Sequence, residues 1–112
     1  MTEGVVKRSM KKNREQVIIE QIQRQLRKVD NELKGYRVFL FGSRTEGNAR
    51  ERSDFDIGIF GRKPIPLKTF YKIEDLFDSI ETLYKIDLVD FNLTSQSFRK
   101  EAMKTVKLLY ES

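Results

Sequence analysis

Tyr36-Arg37-Val38-Phe39-Leu40-Phe41-Gly42-Ser43, followed ten residues later by Asp54-Phe55-Asp56-Ile57-Gly58-Ile59-Phe60, is the part of the chain that decides the fold. Each segment is an apolar run rich in aromatic and branched residues, which predicts a mostly buried strand over 36–41 and a second over 55–60. Gly42 ends the first run. Residues 43–52 are polar and contain Gly47, which predicts a short helix followed by a loop.

Upstream, Ile18, Ile22, Leu26, Val29 and Leu33 recur at spacings of four, four, three and four. That is one stripe of an amphipathic helix, predicted from about Asn13 to Leu33 and stopped by Gly35. Its opposite face is basic, which a solvated helix surface explains more readily than phosphate binding. Residues 1–12 are polar and basic, and flexibility is expected there. Downstream, Pro66 is placed in the first turn of a second helix. The stripe of that helix is Phe70, Ile73, Phe77, Ile80 and Tyr84. Ile86-Asp87-Leu88-Val89-Asp90-Phe91 is the third expected strand. A last helix is predicted from about Ser97 to Tyr110, with Phe98, Ala102, Val106 and Leu109 inward. The order helix, strand, short helix, strand, helix, strand, helix describes a small α/β domain with helices packed on a short sheet. Pattern alone leaves the sheet parallel or mixed.

Composition narrows the chemistry. The 112 residues suit one domain, 1–112, with no linker or repeat. No stretch approaches the roughly 18 apolar residues of a membrane span, and no apolar segment follows the basic N-terminus as a secretory signal requires. There is no Cys, hence no disulfide framework or thiolate metal site, and no His to act as base, nucleophile or ligand. A cytoplasmic setting is expected. Catalysis has to use carboxylates, hydroxyls and basic side chains. The net charge of +5, from 22 basic and 17 acidic residues, favours anionic ligands but does not discriminate among them.

Two aspartates at positions i and i+2 of a strand share a face, so Asp54 and Asp56 point together while Phe55, Ile57 and Ile59 point to the other side. Two like charges on one face repel unless a cation lies between them. Oxygen ligands of this kind suit Mg²⁺, which takes one or two carboxylates together with waters and substrate phosphates. By itself the pair reads more readily as a solvated strand start with turn residues. Gly42-Ser43 alters that balance. A glycine at a strand end admits a phosphate to the backbone, and the amides of the following turn supply donors. Ser43 adds a hydroxyl and Arg44 a charge, although an ordinary turn with Ser43 as helix cap gives the same dipeptide. Asp87 lies inside an apolar run, where an unpaired carboxylate is costly. Facing Asp54 and Asp56, it completes a set of three carboxylates. Asp90, at the strand end, reads as a loop residue or cap and is the weaker candidate for the third position.

Gly42-Ser43, the ten-residue spacer, Asp54-Phe55-Asp56 and the Asp87 strand together resemble the DNA polymerase beta-like nucleotidyltransferase superfamily. The size and the Gly-Ser-Arg form are similar to the minimal nucleotidyltransferases of HEPN/MNT operons. The likeness covers about Gly35 to Phe91. It implies a small nucleotidyltransferase-like α/β (α+β) fold, with a short mixed sheet flanked by helices. Gly42 and Ser43, assisted by Arg44, then hold the terminal phosphates of ATP. Asp54, Asp56 and Asp87 bind Mg²⁺, as two ions, and are the catalytic carboxylates. The resemblance further implies AMP transfer to a hydroxyl, a tyrosine of a HEPN-type RNase toxin, which makes the chain an antitoxin. The family often writes its loop Gly-Ser-x-Ala-x-Gly. Here Thr45-Glu46-Gly47 departs from that, and Glu46 either faces solvent or weakens the hold on phosphate.

Two other functions are consistent with the sequence. One is a non-catalytic module that neutralises its partner by complex formation, its terminal helices building a homo- or hetero-oligomer surface. The other is a small nucleic-acid-binding protein using the basic first helix, a reading that leaves three aspartates without a purpose. At 112 residues no room is expected for the extra domains with which larger polymerases grip nucleic acid.

Overall fold

The computed structural model describes residues 3–42, 45 and 54–112, with side chains from residue 14 onward. Helix α1 (Glu3–Arg27) leads through a 3₁₀ turn, Asp30–Glu32, into strand β1 (Arg37–Phe41). Strand β2 (Phe55–Phe60), helix α2 (Leu67–Asp78) and strand β3 (Ile86–Asp90) follow, then a second 3₁₀ turn at Phe91–Leu93. Helix α3 (Gln96–Ala102) and strand β4 (Lys107–Glu111) complete the chain.

The four strands form one mixed sheet in the order β3-β2-β1-β4. β1 is antiparallel to both β2 and β4, whereas β2 and β3 run parallel. The parallel pair follows from the connection: α2 carries the chain back across one face of the sheet before β3 begins.

That face is the main core. Val38 and Leu40 of β1, Phe55, Ile57 and Ile59 of β2, and Leu88 of β3 meet Ile18, Ile22, Leu26, Val29 and Leu33 from the first helical region and Ile73 and Phe77 from α2. Ile22, Leu26 and Leu33 are fully buried, and each such side chain contributes roughly 1.5–3 kcal/mol relative to solvent. The stripe predicted for this helix is therefore the packed face. The element is built differently from the expectation, however. α1 starts ten residues before Asn13 and stops at Arg27, and the 3₁₀ turn carries Val29 and Leu33 inward. α2 likewise ends before its stripe does. The Ser79 amide donates to the Asp75 and Leu76 carbonyls and its hydroxyl donates to the Leu76 carbonyl, closing the last turn. Ile80 and Tyr84 still pack inward from the loop beyond, with the Tyr84 ring 5.5 Å from Phe55.

The opposite face is only partly covered. Phe39, Phe41 and Phe91 form a second cluster of edge-to-face rings, with centroids 4.9 Å apart for Phe39–Phe91 and Phe41–Phe91. Ala102, Met103 and Val106 pack on it. Gly58, between Phe39 and Val89 in register, makes room for these rings. A Cβ there would stand 2.6 Å from Phe39 and 2.7 Å from Phe91.

The long final helix is corrected by the structure. α3 ends at Ala102, and Lys107–Glu111 is a strand paired with β1. Phe98, Ala102, Val106 and Leu109 fit a helical stripe by spacing, but β1 has a free edge and a backbone that needs partners. Pairing satisfies it, and the end is secured by the Gln23 amide donating to the Leu109 carbonyl and the Gly35 amide donating to the Ser112 hydroxyl. The short helix expected over 43–52 lies outside the described residues.

Candidate active site

The partly covered face opens at the end where β1 finishes and where β2 and β3 begin. Register fixes what stands there. Phe41 of β1 pairs with Asp56 of β2, and Asp56 pairs with Asp87 of β3. Alternation places all three side chains on the open face, in a row across three strands. The backbone bond from the Phe55 amide to the Lys85 carbonyl, 2.8 Å, starts the parallel pairing and locks this row.

Asp56 occupies the middle of it. It is half-buried beside Phe41, and its carboxyl is held above the ordinary carboxylate range. Burial is the main cause, the Asp87 and Asp54 charges add to it, and Lys85 opposes it. Asp54 lies exposed just ahead of β2. Asp87 is not buried as an aspartate in an apolar run was expected to be. Its side chain is 40% exposed, with an oxygen 3.7 Å from Lys85 Nζ. The apolar run is real, but Ile86 and Leu88 belong to the core face and Asp87 to the open one.

Gly42 borders the same row. It has φ of +84°. Both the amide and the hydroxyl of Thr45 donate to its carbonyl, at 3.0 and 2.8 Å. A Cβ at position 42 would lie 2.5 Å from Asp56 Oδ2, so the turn and the carboxylate share one space. Ser43, Arg44 and Glu46 lie outside the described residues.

Asp90 has a different task. It is 6% exposed and accepts hydrogen bonds from the Ile65 amide at 3.0 Å and the Asn92 amide at 2.9 Å. Asn92 in turn bonds both the amide and the carbonyl of Gly61. Asp90 thus ties β3 to the loop before α2 on the face away from Asp56. The residue that sequence reasoning passed over is Lys85. Its position two before Asp87 was a signal, since i and i+2 share a face.

No three acidic side chains among the described residues enclose a cation by themselves. An open set of this type suits Mg²⁺, whose remaining positions are filled by waters and substrate phosphates. The Asp87 and Asp54 charges that add to the burial effect on Asp56 are what a divalent cation offsets.

The sequence pattern described as "Polymerase beta, Nucleotidyltransferase" matches residues 20–112. The chain belongs to this nucleotidyltransferase family. It is also similar to the "Probable protein adenylyltransferase MntA" of Haemophilus influenzae, at 30% identity over 76 residues, which cover 68% of this chain and 67% of that protein. Among solved structures, the tri-AMPylated Shewanella oneidensis HEPN toxin in complex with MNT antitoxin gives a TM-score of 0.60 at 20% identity, covering 87% of this chain and 72% of the matched one. A toxin–antitoxin structure with AMP-PNP gives 0.58 at 19%, covering 80% and 73%. These two likenesses establish that the nucleotidyltransferase domain shares their fold. No helix among its described residues is long and apolar enough to cross a membrane.

Proposed function

We propose that the chain transfers AMP from ATP, with Mg²⁺, to a hydroxyl of a partner protein, a tyrosine of a HEPN-type RNase toxin, and acts as its antitoxin. The observation that carries this reading is the row formed by Asp56 and Asp87 in register beside the Gly42 turn. The MntA relative and the AMPylated toxin complex supply the acceptor class.

In the reaction an acceptor oxygen attacks the α-phosphorus of ATP. A new O–P bond forms, the bond to pyrophosphate breaks, and the acceptor proton is released. Negative charge builds on the attacking and leaving oxygens. The Gly42 turn, continuing into Ser43 and Arg44, holds the terminal phosphates and so fixes the leaving group. Asp54, Asp56 and Asp87 would hold Mg²⁺, which would supply positive charge to offset that building on the attacking and leaving oxygens. The neighbouring Phe41 keeps Asp56 partly out of water, strengthening its electrostatic hold.

Incubation of the purified chain with α-labelled ATP, Mg²⁺ and the HEPN-type protein encoded beside it tests the proposal. Label on the partner that vanishes with Asp54→Ala and Asp56→Ala is the expected result. Label that survives both substitutions overturns the assigned site. Neutralisation of the partner that persists in Asp56→Ala without label shows that complex formation suffices.

A further inference from the structure

A cleft of about 400 Å³ lies at the β3 edge of the sheet, between the C-terminal end of α2 and the loop that enters β3. Phe77, Ile80 and Tyr84 form its apolar part. Its acidic wall is Glu74, Asp75 and Asp78 of α2, and it reaches Asp87 itself. The single amine in the lining, Lys85, is already 3.7 Å from Asp87. Glu74, Asp75 and Asp78 form no ion pair among the described residues. Leu83 stands fully exposed on the loop between two lining residues, Thr82 and Tyr84.

Position and charge together identify what the cleft can take. The Gly42 turn belongs to β1, while the cleft sits beside β3 on the far side of β2 and meets the row at Asp87. An in-line displacement keeps the attacking group away from the leaving group, and the cleft is separated from the Gly42 turn by β2. A nucleotide triphosphate is repelled by the cleft's carboxylates. A basic segment is attracted to them, although the chain as a whole carries +5 and repels cations at long range.

We propose that this cleft receives the acceptor segment of the partner polypeptide and selects segments whose acceptor hydroxyl is flanked by lysine or arginine. The inference rests on the transferase reading above for the acceptor's role, and on the cleft alone for the charge preference. Glu74, Asp75 and Asp78 are specificity-determining residues that do not touch the reacting atoms, and Leu83 is an apolar contact at the rim.

Three fluorescein-labelled peptides of equal length, each with one tyrosine flanked by lysines, by glutamates or by serines, test it. Binding to the full chain is read by anisotropy, with Mg²⁺ and a non-hydrolysable ATP analogue present. The lysine-flanked peptide is expected to bind at least about tenfold more tightly than the glutamate-flanked one. The triple variant Glu74→Gln, Asp75→Asn, Asp78→Asn is expected to reduce that ratio to within about twofold. Leu83→Ser, at a side chain with no packing to lose, is expected to weaken all three peptides alike while preserving the ratio. Equal affinities in the unmodified chain, or a ratio that survives the triple variant, overturns the proposal. Label transfer from α-labelled ATP separates the two readings. Preferential binding with no label on the HEPN-type partner leaves the cleft standing and removes the transferase, whereas label on that partner with equal affinities for the three peptides does the reverse.

Discussion

The Asp56 carboxylate occupies the space in which a side chain at position 42 would stand, with Oδ2 2.5 Å from where the Gly42 Cβ would be. The glycine thus makes room for an aspartate packed against the turn from within and, on the proposed reading, for a phosphate approaching from outside. Gly42→Ala adds a clash to a φ of +84° that L-residues disfavour. A loss of roughly 1–2 kcal/mol is expected from the backbone alone, measured by urea denaturation. Gly42→Ala is also expected to weaken ATP binding, because Asp56 has to move.

Asp56 is held in a state that the fold itself disfavours. Its native pKa is raised, so the native state binds that proton more tightly than the unfolded chain does. Its contribution to stability is therefore fully present below the unfolded carboxylate pKa and is lost as pH rises through the native value. Asp56→Asn should raise the melting temperature in EDTA at neutral pH, and the gap from the unmodified chain should close as pH falls through the native pKa. Transfer activity should fall by at least about 100-fold, the scale of removing one charge-stabilising group. Mg²⁺ should raise the melting temperature of the unmodified chain but not of Asp56→Asn.

Asp87 and Asp90 should separate cleanly by experiment. Asp90→Ala leaves the buried amide of Ile65 and the part-buried amide of Asn92 without their acceptor. A loss of roughly 2–3 kcal/mol is expected in chemical denaturation, with transfer preserved in the molecules that remain folded. Asp87→Ala should show the opposite pattern, near-normal stability and little transfer, because its carboxylate is half-exposed beside Lys85.

The C-terminal strand is required for the fold even though it forms the sheet edge opposite β3. Leu109 is 6% exposed within the main core. Leu109→Ala is expected to cost roughly 2–4 kcal/mol, readable as a lower denaturation midpoint.

Glu32 offers a control on the pH behaviour. Hydrogen bonds from Lys72 and Thr69 hold its pKa below the ordinary value, so its contribution is present above the unfolded pKa and is lost as pH falls through the native one. Glu32→Gln should therefore reduce stability at neutral pH and converge with the unmodified chain in acid, the reverse of Asp56→Asn. Thermal denaturation between pH 7 and acid distinguishes the two.

Local patterns determined much of this protein before any contact was known. The stripe from Ile18 to Leu33 marked a buried face because residues three and four apart must share one side of a helix. Alternation in Asp54-Phe55-Asp56-Ile57 separated carboxylates from core in the same way, and Phe55–Phe60 emerged as β2 with no change of boundary. Patterns of this kind are fixed by the backbone period and need no partner. The remainder depended on partners. Val106 to Tyr110 satisfies a helical spacing and a strand equally, and only the free edge of β1 made it β4. Asp87 and Asp90 sit three residues apart in one apolar run. Which of them faces Asp56 was settled by the parallel register of β2 and β3, which set Asp56 opposite Asp87 and turned Asp90 toward the amides of Ile65 and Asn92. The acidic cleft beside Asp87 had no sequence signature at all, because α2 and the loop into β3 bring its walls together only in three dimensions.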